Sequence, residues 1–330
     1  MSTLKYIPVA SSVLLLVSCA DTNQYIEVPD PIVRPTYAET LTQWESLLPA
    51  ASFVDAIEVV PIDTLQPYYD DYIENSEFKN GRVITLQWNG DQVSVDNSQS
   101  EKGVKVTVNG TRVIVENLET QLDADDARGK VTYRLKGQSQ NGQFKIYSDK
   151  KFQLQLDGLH LTCSDGPAIN IQTKKRCFVV CNEGTDNHLA DGVVYASDAI
   201  AQPLEDEKGC LFSEGQLIFY GPGHLTVTGL HQHAIASDEY IVMHSGCDVT
   251  VADAAKDGIH AKEQYYQIGG MVRSYANKEA LQSDTLGIQL QGGYLYLCGS
   301  NAYKTGGNGT FTQINGKLAP ISWDPSAESD

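Results

Sequence analysis

Self-similarity at a period of 22–24 residues in the second half of the chain constrains the fold more than any other feature of the sequence. From Leu211 to Ile235 is 24 residues, to Ile259 another 24, and to Leu281 another 22. Each of these residues is followed by a β segment, a Gly-rich turn and a second β segment. A β-sandwich would show turns about every 8–12 residues without the longer period. The repeats therefore predict an all-β fold, a right-handed parallel β-helix.

In a stack of such coils, equivalent positions of successive repeats form ladders with a spacing of about 4.8 Å. The interior ladder is predicted to be aliphatic and consists of Leu211, Ile235, Ile259 and Leu281. Small residues follow it where the chain is expected to bend, at Ser213, Ser237, Ala261 and Ser283. Two further ladders are expected outside the stack, one of Gly209, His233, Asp257 and Glu279, the other of Glu214, Asp238, Lys262 and Asp284.

The first strands of the domain are predicted to form a short β-hairpin N-terminal part. Asn89-Gly90 and Asn109-Gly110 each lie between two strands of alternating residues, which is the strongest short-range signal of a hairpin. From Ile169 to Leu211 is 42 residues, nearly twice the period, and this gap holds an acidic insertion around residues 183–208. We expect that insertion to leave the stack as a loop.

The chain divides into four predicted segments. Residues 1–18 are a lipoprotein signal peptide, 19–80 a tether and unassigned leader, 81–320 the β-helix domain and 321–330 a disordered acidic tail. Residues 20–45 are polar and carry three prolines, which favours an extended tether.

The leader predicts a lipid anchor. A short apolar run extends from Val13 to Val17. Its end overlaps Leu16-Val17-Ser18-Cys19, which has the pattern of a lipobox whose cleavage leaves Cys19 as the lipidated N-terminus. The run is too short to span a bilayer, which needs about 20 residues. An ordinary secretory signal is the alternative. A lipoprotein of a bacterial cell envelope follows, anchored at the outer membrane or cell surface, whose contact with the membrane is the lipid alone.

The charge of the chain limits its partners. The difference between 24 basic and 42 acidic residues gives −18. This excludes a nucleic-acid partner, because neutralising phosphates requires a basic surface. It also disfavours direct binding of polyanions unless cations lie between the two.

Calcium could supply those cations. Asp257 and Glu279 should project side by side from adjacent coils, where their charges repel unless a cation or proton intervenes. The candidate calcium ligands are Asp257, Glu279, Asp253, Asp238 and Asp284. The alternative is that these are solvated turn carboxylates.

Aromatic and nitrogen-bearing side chains offer further candidates. Four tyrosines of the last coils could stack on sugar rings: Tyr265, Tyr266, Tyr294 and Tyr296. They could equally stack inside the solenoid. His231 and His233 could both bind a transition metal, but the sequence shows no third ligand, and we interpret them as surface or hydrogen-bonded histidines. The six cysteines after Cys19 are interpreted as buried free thiols rather than a disulfide framework.

Several segments together resemble one known family. They are FQLQLDGLHLTCSDGPAI (152–169), GTDNHLADG (184–192), LFSEGQL (211–217), GPGHLTVTG (221–229), HAIASD (233–238) and KDGIHAK (256–262). Over roughly residues 82–315 the chain resembles the bacterial carbohydrate-binding domain-containing β-helix proteins, whose fold is similar to that of pectate lyases. The resemblance implies calcium binding and affinity for acidic sugars without established catalysis. Lys256 and Lys278 stand where that family tends to have aspartate, which weakens the calcium inference there.

Three functions compete. The first is a non-catalytic, lipid-anchored protein that binds acidic polysaccharide through calcium. The second is a polysaccharide lyase, in which calcium would acidify the C5 proton of a uronate and a cationic side chain would act as base. The candidate bases are Lys256, Lys262, Arg273 and Lys278. The third is a structural or adhesive envelope protein.

Overall fold

The computed structural model describes residues 13–16, 25–28, 33–49, 78, 82–97, 103–118, 131–200 and 205–328. Its elements are β1 (Val13–Leu16), β2 (Tyr25–Val28), α1 (Tyr37–Leu47), β3 (Arg82–Asn89), β4 (Val93–Asp96), β5 (Lys105–Asn109), β6 (Arg112–Asn117), β7 (Val131–Ser139), β8 (Gln143–Ser148), β9 (Phe152–Cys163), β10 (Ile169–Ile171), β11 (Cys177–Cys181), β12 (Asp186–Asp191), β13 (Gly209–Ser213), β14 (Leu217–Tyr220), β15 (His224–Gly229), β16 (His233–Ser237), β17 (Ile241–Met243), β18 (Asp248–Ala254), β19 (Ile259–Ala261), β20 (Gln264–Gln267), β21 (Met271–Tyr275), β22 (Glu279–Ser283), β23 (Gly287–Leu290), β24 (Tyr294–Gly299), β25 (Asn301–Thr305), β26 (Thr310–Gln313) and β27 (Lys317–Ser322). Single-turn 3₁₀ helices occupy Ala196–Ala199 and Pro325–Glu328.

The strands stack as a parallel solenoid, which confirms the predicted fold class. One row of strands forms a nine-stranded sheet, β25-β22-β19-β16-β13-β10-β8-β6-β5. The other sheet contains two rows, β11-β14-β17-β20-β23-β26 and β12-β15-β18-β21-β24-β27, which meet at β9. Strand β9 is twelve residues long and pairs with β11 through its first half and with β12 through its last residues. One coil therefore consists of three short strands, for example β16, β17 and β18.

The interior is filled by ladders of aliphatic side chains in register. Leu211 pairs with Ile235, Ile235 with Ile259 and Ile259 with Leu281, and all four are fully buried. The predicted interior ladder is thus confirmed. Side chains alternate in and out along a strand, so every residue next to this ladder in a strand points away from it.

The predicted hairpins are also confirmed. Strands β3 and β4 pair antiparallel around Asn89-Gly90, and β5 and β6 pair antiparallel around Asn109-Gly110. Strands β3 and β6 each pair in parallel with a strand of the solenoid, β7 and β8 respectively. The hairpins therefore add antiparallel strands to the first coil of the solenoid and cover its N-terminal sheet edges.

The predicted insertion is shorter than expected. Residues 186–191 form β12, which pairs in parallel with both β9 and β15 and so remains in the stack. The loop that leaves the stack begins after Asp191 and returns at Gly209. The reason is that Asn187 and Leu189 alternate inward, as in the neighbouring coils, and are buried.

A helix lies in the segment that was predicted to be an extended tether. Helix α1 begins at a capping box in which the Thr36 hydroxyl accepts from the Glu39 amide and the Glu39 carboxylate accepts from the Thr36 amide. Trp44 is buried, its ring lies 5.8 Å from that of Tyr296, and its Nε1 donates to the carbonyl of Leu297. The extended tether predicted for residues 20–45 is wrong for residues 37–45, because the helix buries an aromatic face against the last coils.

The structure describes residues 321–328 of the segment that was predicted to be a disordered tail. Strand β27 continues through Ser322, and Ile321 and Trp323 are buried in the same aromatic cluster as Trp44. Arg34 joins this end of the chain to the segment before α1. Its guanidinium lies 4.6 Å from the centre of the Tyr275 ring and 5.9 Å from that of the Trp323 ring.

Two further observations concern cysteines and membranes. Cys163, Cys177, Cys181, Cys210, Cys247 and Cys298 are free and buried, as predicted. Cys19 lies outside the described residues. Within the described ranges, the structure contains no helix that is both long and apolar enough to cross a membrane.

The interior ladder predicts a contrast between two leucines of one coil. Leu281 is fully buried, whereas Leu286 is 60% exposed. Leu281→Ala should destabilise the protein by about 2–5 kcal/mol, because it removes transfer free energy and leaves a cavity. Leu286→Ala should change stability by less than about 0.5 kcal/mol. Denaturant midpoints of the two variants test this, and equal midpoints would contradict the inward assignment of the ladder.

Candidate functional site

The outer surface of the nine-stranded sheet, here called the polar face, carries hydrogen-bonding side chains on most of its strands, with Ile114, Phe212 and Ala236 between them. At one register position the outward residues of successive strands are Ile114, Lys145, Asn170, Phe212, Ala236, His260, Gln282 and Lys304. The alternation that sends the aliphatic ladder inward sends this row outward. A straight row of side chains at a spacing of about 4.8 Å follows.

A histidine–aspartate cluster lies on the polar face where β16, β19 and β22 meet. Asp257 Oδ2 is 3.1 Å from His233 Nδ1 and 2.8 Å from His260 Nδ1. The two imidazole rings lie 4.5 Å apart, and ligand atoms of the three residues lie within 4.8 Å of one another. His233 and Asp257 are buried. Three potential metal ligands on two adjacent coils therefore converge on one point.

The surroundings shift the pKa values of the three residues of this cluster in different directions. Burial opposes ionisation of Asp257, but hydrogen bonds from His233 and His260 outweigh it and hold the pKa of that carboxyl well below its usual range. Burial lowers the pKa of His233. Burial by itself would lower the pKa of His260, but the hydrogen bond to Asp257 and the charge of Asp284 outweigh it and raise that pKa.

Glu279 projects beside Asp257 from the next coil, as the ladder predicted. Burial, together with a hydrogen bond to Asp257 and the charge of that carboxylate, raises the pKa of Glu279. Glu279 is therefore a weaker acid than a free glutamate and lies within hydrogen-bonding reach of Asp257. Asn301 and Lys304 lie near the same side chain, with 3.3 Å and 3.5 Å to Glu279 Oε1.

The five predicted calcium ligands do not converge. Asp257 and Glu279 are neighbours, and Asp284 reaches the cluster through His260 Nε2 at 3.2 Å. Asp238 instead pairs with Lys208 at 2.9 Å. Asp253 lies on β18, outside the nine-stranded sheet, and pairs with Arg34 at 3.0 Å. Asp253 precedes Asp257 by a turn in which the chain passes from one sheet to the other, so closeness in sequence does not bring their side chains together.

The predicted sugar-stacking surface is absent among these four described tyrosines, because each ring is buried. Tyr265 belongs to the interior of the solenoid, and Tyr266 packs outside the β20 strand beside Phe178 and Ile218. Tyr294 and Tyr296 lie in the cluster that contains Trp44 of α1. The expectation of an exposed aromatic face is therefore wrong, since α1, which the sequence prediction missed, covers part of it.

An open cavity of about 460 Å³ lies under the loop between β12 and β13. Its wall combines loop residues with outward residues of the polar face: Arg112, Gln143, Lys145, Asp165, Gly166, Ala196, Ser197, Ile200, Glu205 and Glu207. Lys145 pairs with Glu205 at 2.7 Å and with Glu207 at 3.5 Å. Because the described loop residues line this cavity through contacts distant in sequence, such as that of Glu205 with Lys145, sequence reasoning could predict the loop but not the cavity.

The same loop is held by a buried tyrosine. Tyr195 donates a hydrogen bond to Asp191, and its ring stacks on His231 with centroids 3.9 Å apart. Burial raises the pKa of Asp191 to about 6 against the opposing hydrogen bond from Tyr195. His231 therefore points away from His233, and the two do not form the metal pair considered from the sequence.

A second open cavity, of about 460 Å³ and here called the acidic cavity, is lined by Lys174, Glu214, Asp238, Glu239, Lys262, Glu263 and Thr285. Burial and the charge of Asp238 raise the pKa of Glu214. Burial and the charge of Glu263 raise that of Glu239. These carboxylates repel one another, which a bound cation would relieve.

A separate group of potential metal ligands lies on the β12 row, outside the polar face. His160 and His188 are opposite each other on β9 and β12, with ring centroids 4.7 Å apart, and His188 Nε2 is 2.8 Å from Asp186 Oδ2. His160 and Asp186 are exposed.

Comparison with known proteins identifies the family of the chain. A family model described as carbohydrate-binding domain-containing protein matches residues 127–312, which is more than half of the chain. A solved structure of the polysaccharide lyase-like protein from C. thermocellum is similar, with a TM-score of 0.52 and 18% identity over 71% of this chain and 99% of that one. At this identity the likeness shows a shared fold. No curated protein matches the sequence. The chain belongs to the family of carbohydrate-binding domain-containing proteins.

Proposed function

We propose that this protein binds acidic polysaccharide, without catalysis, along the polar face, from a lipid anchor in a bacterial cell envelope. The observation that carries the proposal is the run of polar outward side chains at one register position of the last coils, His260, Gln282 and Lys304. A row that repeats once per coil, about every 4.8 Å, presents donors and acceptors at a regular interval. An extended polymer of repeating sugar units has the matching regularity.

Local charge supports an acidic ligand despite the net charge of −18. Lys256, Lys278 and Lys304 are exposed on successive coils and line one cavity of about 420 Å³. In the same cavity Asp257 lies against His233 and His260, and Glu279 lies 3.5 Å from Lys304. Three lysines therefore stand against two carboxyl groups in this cavity. Lys256 and Lys278 replace residues that would be calcium ligands in the family pattern, but lysines at these positions can contact uronate carboxylates directly.

Removing cavity lysines should weaken binding of acidic polymers. In Lys278→Ala/Lys304→Ala we expect the Kd for a uronate polymer to rise at least about tenfold, because a charged hydrogen bond contributes about 1.5–3 kcal/mol and 1.4 kcal/mol is tenfold. Affinity electrophoresis or calorimetry with acidic and neutral polysaccharides measures this.

A matched control removes two lysines at a distance from the cavity. Lys136→Ala/Lys317→Ala changes net charge equally, but Lys136 lies in β7 and Lys317 in β27, both in the other sheet. This variant should bind normally. If both double variants bound the acidic polymer equally weakly, net charge alone would explain the loss of affinity, and a binding site at the cavity would be contradicted. Release of unsaturated products absorbing in the ultraviolet would instead establish a lyase, and retention of no polysaccharide would favour a structural envelope protein.

Calcium is part of the proposal at the acidic cavity. Calcium prefers about 6–8 oxygen ligands. The Asp257–Glu279 pair does not fit, because Asp257 faces two imidazoles and Glu279 Oε1 lies against Asn301 and Lys304. In the acidic cavity Glu214, Asp238, Glu239 and Glu263 supply four carboxylates, against the two lysines Lys174 and Lys262. Calcium held there would offer further coordination positions to a sugar carboxylate.

Calcium affinity should depend on the acidic cavity. We expect Glu239→Gln/Glu263→Gln to bind calcium at least about tenfold more weakly, since each carboxylate supplies charge and ligand oxygens. Calorimetry with calcium alone measures this. Glu45→Gln/Glu183→Gln, which removes two exposed carboxylates elsewhere, is the control and should bind as the parent does. Unchanged affinity in the cavity variant would contradict this location.

The anchor is proposed from the lipobox. Cys19→Ser removes the only residue that the lipobox could acylate, so we expect the protein to move from the membrane fraction to the soluble fraction, because a chain without acyl groups loses its membrane affinity. Cell fractionation and intact mass of the mature protein measure the change. Ser12→Ala, outside the lipobox, should leave the distribution unaltered. A Cys19→Ser protein that stays membrane-bound would contradict lipid anchoring.

A further inference from the structure

We infer that His233, Asp257 and His260 form a binding site for a divalent transition metal ion of the Zn²⁺ type. The inference does not depend on polysaccharide binding. It concerns nitrogen donors and a carboxylate from two coils, a donor set different from that expected for calcium.

The distances suit coordination. Zinc bonds to imidazole nitrogen and carboxylate oxygen are about 2.0–2.1 Å, which puts neighbouring ligands of a tetrahedron roughly 3.3 Å apart. The two measured edges from Asp257 Oδ2 are 3.1 Å to His233 Nδ1 and 2.8 Å to His260 Nδ1. Small side-chain rotations would open these edges to the required length.

The contacts of His233 are those of a metal ligand. His233 Nδ1 lies 3.1 Å from the Asp257 carboxylate oxygen and 3.3 Å from the Asp257 backbone nitrogen. Without a metal ion, a proton on Nδ1 joins the imidazole to the carboxylate. A metal ion bound by both atoms takes the place of that proton, because zinc binds neutral imidazole nitrogen and ionised carboxylate oxygen.

The residues around the three ligands are those that orient metal ligands. His260 Nε2 lies 3.2 Å from Asp284 Oδ2, so it can donate its proton there and leave Nδ1 free to bind a metal. Glu279 hydrogen-bonds to the Asp257 carboxylate from the next coil. Both ligand types thus have the carboxylate partners that fix tautomer and orientation.

The site is accessible from one side. Asp257 lies in the wall of the cavity of about 420 Å³ that Lys278, Gln282 and Lys304 also line. His260 is partly exposed on the same face. With three protein ligands, a fourth coordination position remains for water or another ligand from that cavity.

The group of His160, Asp186 and His188 provides an internal comparison. It lies on another row of strands and is more exposed, and His160 Nε2 is within hydrogen-bonding distance of the Asp186 carbonyl oxygen, 3.1 Å away. Its side chains are less constrained, so we expect it to bind metal more weakly than the buried cluster does.

Metal titration of the full chain, after treatment with chelator, tests the inference. We expect one tight equivalent of Zn²⁺ by calorimetry, and Co²⁺ added alone should give visible absorption bands of nitrogen and oxygen coordination. His260→Gln should abolish the tight equivalent and those bands. Asp284→Asn should weaken binding roughly 10- to 100-fold, as expected for a residue that orients a ligand.

His188→Ala is the control and should keep the tight equivalent. Circular dichroism establishes that each variant is folded, and His260→Gln changes a partly exposed side chain, so it should preserve the solenoid. Absence of a tight equivalent in the parent, or its loss in His188→Ala with retention in His260→Gln, would overturn the inference. In that case a proton shared within the cluster would account for the geometry.

Discussion

The in-register parallel stacking of coils is the constraint on which the rest of the structure depends. Each strand of the nine-stranded sheet hydrogen-bonds to the equivalent strand of the next coil, so a residue's register position also fixes its neighbours. The fully buried ladder through Leu211, Ile235 and Ile259 holds this register, because a slip of one residue would expose aliphatic side chains. Function on the outer surface is thereby tied to packing inside.

The same constraint explains why polar groups gather on one face. His233, Asp257 and Glu279 occupy one ladder position, and His260 comes from the outward row three residues further along the chain. At coil spacing, side chains of like charge would repel, and here the Asp257 carboxyl lies against two imidazoles while Glu279 lies beside Lys304. The result is a compact polar cluster at the edge of a cavity whose exposed residues include three lysines.

Segments outside the repeats decide which parts of the solenoid are open to solvent. Helix α1 covers the aromatic residues of the last coils, with Trp44 beside Tyr296 and Tyr37 beside Tyr275. The loop after β12 covers the polar face near Lys145 and creates a cavity there. The acidic cavity and the lysine-lined cavity lie among the later coils, where successive strands follow at the regular period.

The sequence by itself determined the solenoid, both hairpins, the interior ladder and the adjacency of Asp257 and Glu279, because each follows from local alternation and a fixed period. Helix α1 also had a local signal, the Thr36–Glu39 capping box, which the proline-rich surroundings concealed. Only the tertiary structure decided that Asp253 lies on a different sheet, that Tyr265, Tyr266, Tyr294 and Tyr296 are buried, and that His233 finds its partners in the next coil. These outcomes depend on which way the chain turns between strands and on what packs over the solenoid. Such long-range contacts leave no periodic trace in the sequence.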